Sequence, residues 1–168
     1  MISLAEAVKL KSILNKKTQE LISEIHSASH TIVEKGEEPK IPERTLQQID
    51  TELQDVRNDA RLLDRLIYEA NIQNTVSFEG QQYTLVEAIE LAIQLRAQTS
   101  LYKDLGTSDK ESLFHNNGDA IFYRVALYEP NDYREKANEL EKLAHRLSNA
   151  INVKNYQVQI HFDDSKYF

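Results

Sequence analysis

The 168-residue chain contains no cysteine, no tryptophan and a single methionine. Without cysteine there can be no disulfide, no thiolate nucleophile and no cysteine metal site. Glycine and proline are scarce, at four and three residues. That leaves no glycine-rich loop to cradle a phosphate, no dinucleotide fingerprint and no serine nucleophile elbow. Basic residues are outnumbered 20 to 27, for a net charge of −7. The densest basic pair, Lys16-Lys17, is followed by Glu20 and Glu24. Phosphate binding depends on Lys and Arg, so nucleic acid is not an expected partner. No apolar run approaches the roughly 18 residues a membrane span requires. Met1-Ile-Ser-Leu4 leads directly into a pattern with Glu6, Lys9 and Lys11 rather than a signal peptide. The expected setting is the cytoplasm, with no membrane partner and no cofactor.

Aromatics are missing from the first 67 residues; all thirteen lie from Tyr68 onward. An aliphatic helical hairpin packs without them, whereas a sheet covered by helices needs larger fillers. The asymmetry predicts one domain over 1–168, with a helical arm at 3–72 and an α+β body at 73–168.

Between Glu43 and Asn74 the apolar residues Leu46, Ile49, Leu53, Val56, Ala60, Leu63, Ile67 and Ala70 alternate in steps of three and four. That is the seam of a helix lying against another helix, and 28 residues would extend about 42 Å. Residues 3–34 predict its partner, with Leu4, Ala7, Leu14, Leu21, Ile25, Ala28 and Ile32 on a matching seam interrupted by Lys11 and Thr18. Gly36 reads as the residue that caps the end of that helix, with Glu37-Glu38-Pro39 turning the chain into the next, and a short connection predicts an antiparallel pair.

In the body, Thr75–Phe78 and Gln81–Tyr83 predict a hairpin around Glu79-Gly80. Thr84-Leu-Val-Glu87 is a capping box opening a third helix, with Leu85, Ile89, Ala92 and Leu95 as its buried face and Gly106 as its end. Residues 106–118 read as a disordered polar loop, 120–128 as the strongest strand, and Pro130 as the start of a fourth helix. That helix carries the seam Tyr133, Ala137, Leu140, Ala144, Leu147 and Ile151. Tyr156–Phe162 alternates as a half-buried strand. Both Asn71-x-x-Asn74 and Asn152-x-x-Asn155 read as helix stops, since Asn bonds its own backbone and tolerates left-handed geometry. The expected fold class is α+β, mainly helical, with a long antiparallel helical hairpin, two further helices and a small, mainly antiparallel sheet. About 60% helix is expected, above the usual third.

The order of short motifs resembles the septicolysin-like family of bacterial proteins. The likeness rests on Leu4-Ala-Glu-Ala7, Gly36-Glu-Glu-Pro39, Asn71-x-x-Asn74, Tyr83-Thr-Leu-x-Glu-Ala88, Leu95-Arg96 and Asn155-Tyr156, and it spans nearly the whole chain. Ala97 and Tyr156 stand where the family pattern carries Asp and Trp. The resemblance implies the fold. It implies no activity, because the family has none established, and the cytolysin in its name fits poorly with a chain lacking a membrane-seeking segment.

His26 and His30 are spaced i and i+4, with Glu34 continuing the row, a spacing at which two imidazoles can face one metal. No third ligand is tied to them by sequence, so no metal is expected. The polar residues nearest the apolar seams are Asn71, Asn74, Thr75, Arg96, Arg124 and Asn155. They are the candidate ligand-binding set, placed where helices would meet the sheet. Arg124 interrupts an apolar strand and is expected to face water from an edge. The missing catalytic motifs incline the reading away from an enzyme, and no catalytic residue is assigned. Two functions follow. The first is a non-catalytic interaction or scaffold protein that self-associates as a homo-oligomer through its helices. Val8, Leu10, Ile22, Val33, Leu62 and Leu66 favour it by widening the first two seams beyond a two-helix contact. The second is a small-ligand binder or undetected enzyme, with its site near Asn71, Asn74 and Arg96.

Overall fold

The computed structural model describes residues 1–116, 118 and 120–167. Helices account for 63% of them, and the strands form three separate two-stranded antiparallel ladders. The fold is therefore mainly helical α+β, as the sequence predicts. The chain divides into two compact units, residues 1–73 with 155–168 and residues 74–154.

The first unit is built on α1 (Leu4–Ala28) and α2 (Leu46–Gln73). Ser3 opens α1 as a capping box: its hydroxyl accepts the Glu6 N–H, and its own backbone N–H and hydroxyl both donate to the Glu6 carboxylate at 2.7 Å. Those bonds, the backbone one first, hold the Glu6 carboxyl below its ordinary pKa. Thr45 and Gln48 cap α2 in the same reciprocal way. The helices run antiparallel, as their ion pairs show: Lys11 meets Asp64, Lys17 meets Glu52 at 2.8 Å, and Arg44 joins Glu24 and Glu52. Leu10, Leu14, Leu21, Ile49, Leu53, Val56 and Leu63 fill the seam between them. Lys11, which interrupts that seam, is held by Asp64, and that bond raises its pKa.

The predicted first helix was too long. It stops at Ala28 rather than near 34, because Ser27, Ser29 and the β-branched run Thr31-Ile32-Val33 favour extended or locally bonded backbone. Ile32 lies outside the helix and is exposed. Gly36 does not cap the helix. It takes φ 98° inside a turn closed by Glu37 N–H to Glu34 O at 3.0 Å.

Residues 155–168, assigned to the body from sequence, lie in the first unit. α4 (Pro130–Gln157) passes straight through Asn152 and Asn155, so that predicted stop is absent. Only Gln159–Ile160 of the predicted 156–162 strand pairs, as β6, with β1 (Ile2–Ser3). The alternation survives: Val158, Ile160 and Phe162 are buried, and Gln159 and His161 are exposed. Beyond it, the Tyr167 hydroxyl donates to Asp59 on α2 at 2.6 Å, with Lys166 beside the same carboxylate.

In the second unit, β2 (Thr75–Phe78) and β3 (Gln81–Thr84) form the predicted hairpin. Glu79 and Gly80 both take positive φ, 48° and 77°, the two-residue turn whose twist matches the strands. Thr84 caps α3 (Leu85–Thr107) with Glu87 in the predicted box. Residues 106–118 contain a strand, contrary to expectation: β4 (Glu111–Asn116) pairs with β5 (Ile121–Val125). Asn117, in that predicted loop, lies outside the described residues. α3 and α4 run antiparallel, with Lys103 bonded to Glu141 at 2.7 Å and the Arg134 guanidinium donating to Gly106 O at 2.9 Å.

Candidate functional site

α3 is apolar on two faces. Leu85, Ala88, Ala92 and Thr99 are buried on one. On the other, Val86, Ile89, Ile93, Ala97 and Leu101 follow steps of 3, 4, 4 and 4 and are all exposed. Leu85 and Ala92 are buried as the sequence predicts, but Ile89, expected beside them, is exposed and Ala88 is buried in its place. Ile93 and Leu101 are 51% and 56% exposed. Apolar stripes on helices normally face a neighbouring element, and among the described residues none covers this outer one.

The β4–β5 hairpin shows the same excess. Every residue of β5 is exposed, although Ile121, Tyr123 and Val125 project to one side and Phe122 and Arg124 to the other. The register skips at Leu113/His115, so Phe114 is the extra residue of a bulge and stands 74% exposed. Leu127, just past β5, is 98% exposed. Two strands alone are marginal in water, and these carry aromatic and aliphatic groups on both faces.

Between α3 and α4 lies a cleft of about 310 Å³. Buried Thr99 and Ala144 line it, and small side chains there leave the space open. Arg96 lies at one end, its guanidinium donating to Ser148 Oγ at 2.5 Å. The Lys103–Glu141 pair lies at the other, with Ser100 and His145 also on the lining. The Lys103 bond holds the Glu141 carboxyl below its ordinary pKa.

The candidate set named from sequence is divided between the two units. Asn71 is on the last turn of α2 in the first unit. Asn74 and Thr75 begin the second, where the Asn74 carbonyl accepts the Leu85 N–H at 2.9 Å and Thr75 pairs with Thr84. Arg96 lies on the α3–α4 cleft. Arg124 is exposed on β5 opposite Ser112. Asn155 lies within α4, in the first unit, and its Oδ1 is buried without a hydrogen-bond partner among the described residues. The six were chosen for nearness to apolar seams, and those seams belong to different units.

His26 is on the last turn of α1, but His30 lies beyond the helix, with its Nδ1 2.9 Å from Ser29 Oγ. The early helix end removes the shared face that their spacing implied. Among the described residues, no group of three or more His, Asp or Glu is placed to hold a metal. No described helix is long and apolar enough to cross a membrane.

Sequence reasoning missed Thr99, Lys103, Glu141 and His145. Arg96, Ser100 and Lys103 do share one helical side at i, i+4 and i+7, but which side faces α4 is a tertiary matter.

The units together define a mainly helical α+β protein whose second unit carries an uncovered apolar surface and a polar interhelical cleft. No family model matches the chain, and no curated protein matches it. Among solved structures it is similar to a functionally unknown conserved protein from Corynebacterium diphtheriae, with a TM-score of 0.69 and 24% identity, over 95% of this chain and 99% of that one. At that identity the likeness bears on the fold.

Proposed function

We propose that this is a non-catalytic interaction protein that self-associates through the second unit, using the outer stripe of α3 and the β4–β5 hairpin. One observation carries the reading: α3 exposes a four-turn apolar stripe opposite its buried face. Large uncovered apolar patches are rare on monomers, and closed twofold pairing is the commonest way to cover one. A stripe of similar aliphatic side chains is also complementary to itself, so a second copy fits without a specialised partner. The hairpin supports the same reading, with both faces of β5 exposed. Leu62, 41% exposed on α2, and the half-buried Leu66 form a less continuous surface than α3, so the contact is assigned to α3 rather than to the first helical pair. The cytoplasm is the proposed location, in keeping with the cysteine-free composition. Kinship with the septicolysin-like bacterial proteins is part of the proposal and rests on motif order from Leu4 to Tyr156; no lytic activity is assigned.

The test is Ile93→Glu, followed by light scattering beside the parent chain. The variant should be monomeric with unchanged circular dichroism, since Ile93 is outside the subunit core. A parent chain that is already monomeric, or a variant that remains assembled, contradicts the proposal.

A further inference from the structure

We infer that the α3–α4 cleft binds a small phosphate-bearing anion, independently of the oligomeric state. In a chain of net charge −7, this cleft collects Arg96, Lys103 and His145 against the single carboxylate of Glu141. Hydroxyls from Thr99 and Ser100 share its lining. A guanidinium, an ammonium, an imidazole and hydroxyls gathered around one concave space suit an oxyanion that takes several donors at once. The guanidinium has five N–H groups, and among the described residues its hydrogen bond is the one to Ser148. Lys103 likewise has three donors, one of which meets Glu141. Neither cation must give up its present partner to receive an anion. At about 310 Å³ the space exceeds a bare phosphate and is at the small end of ligand pockets. The aliphatic stems of Arg96 and Lys103 and the Ala144 methyl group offer an apolar wall for a short carbon chain. The chemistry therefore favours a phosphate monoester of a small alcohol over a long or aromatic ligand. Among the described lining residues, Glu141 is the one unfavourable group. Its carboxylate weakens the field at the Lys103 end, which makes it a control of opposite sign.

The experiment is titration of the isotope-labelled full chain with inorganic phosphate, glycerol 3-phosphate and glycerol, followed by amide chemical shifts. Saturable shifts confined to segments 96–103 and 141–148 are expected for the two phosphates, with none for glycerol. Arg96→Gln should weaken binding by about tenfold, the effect of losing one charge-assisted contact. Glu141→Gln should instead tighten it, an outcome that damage to the fold would not produce. The tighter of the two phosphates assigns the ligand as the free anion or the ester. No saturable shift up to about 10 mM, a concentration that would detect even millimolar affinity, overturns the inference. So does binding that is unchanged in Arg96→Gln, or weakened in Glu141→Gln.

Discussion

Gly106 and Arg134 meet where α3 gives way to the β4–β5 hairpin and α4 begins, with backbone against backbone. A Cβ placed on Gly106 would lie 2.9 Å from the Arg134 amide nitrogen and 3.0 Å from its Cα. The Arg134 guanidinium returns to bond Gly106 O at 2.9 Å. The glycine is needed for close approach, since a backbone neighbour cannot move aside as a flexible side chain can. Gly106→Ala should cost about 1–3 kcal/mol, the range for overpacking a tight contact. The check is denaturant unfolding beside the parent chain. An unchanged midpoint would show that α4 can shift freely there.

The C-terminal segment should make stability fall at high pH. Tyr167 is partly buried and donates to the Asp59 carboxylate. Burial, then that bond, raises its pKa above the ordinary 10.0. Folding therefore favours the neutral phenol. The stabilisation is complete below the unfolded pKa of about 10 and is lost as pH rises through the higher folded value. Tyr167→Phe should cost about 1 kcal/mol at neutral pH and flatten the alkaline decline. Parallel alkaline profiles for the two proteins would refute the role of this bond.

At low pH the sign reverses. The Thr84 hydroxyl, then its backbone N–H, hold the Glu87 carboxyl below its ordinary 4.5, and bonds from Lys17 do so first at Glu52, with Arg44 contributing. These groups stabilise the fold above their unfolded pKa, and that contribution is lost as pH falls through the lower folded values. Thr84→Ala removes an N-cap and should cost about 1 kcal/mol at pH 7. Its loss of stability on acidification should also be smaller than the parent's. Thermal melts across the acid range provide the comparison.

Most of the fold was legible wherever side-chain spacing alone decides. Ile49, Leu53, Val56 and Leu63 keep one face over about four turns of α2, and Thr84 with Glu87 marks the start of α3 in four residues. Boundaries set by competition were harder. α1 ends where Ser29 and Thr31–Val33 outweigh a continuing seam. α4 passes through Asn155 because the intrinsic preference of one Asn is small beside the propagation of a long helix. The polar stretch 106–118 hides β4, whose pairing partner β5 is chosen at long range. The cleft was hidden for the same reason. Arg96 stands in the candidate set for its nearness to an apolar seam, but Lys103, Glu141 and His145 gain meaning only once α3 and α4 lie antiparallel.

Self-association should strengthen with salt. Each copy carries a net charge of −7, so two copies repel at long range, and screening reduces that repulsion. Burial of the α3 stripe is apolar and is not weakened by moderate salt. Dissociation measured by sedimentation should therefore shift to lower protein concentration as sodium chloride increases. A contact weakened by salt would instead be ionic, and the α3 stripe would not be its basis.

The most direct test is the solution mass of the unmodified chain at micromolar concentration, by multi-angle light scattering or native mass spectrometry. Self-association through α3 predicts a particle of twice the 19.4 kDa chain mass or a larger whole multiple. A single species at 19.4 kDa, unchanged as protein concentration and salt are raised, would contradict it.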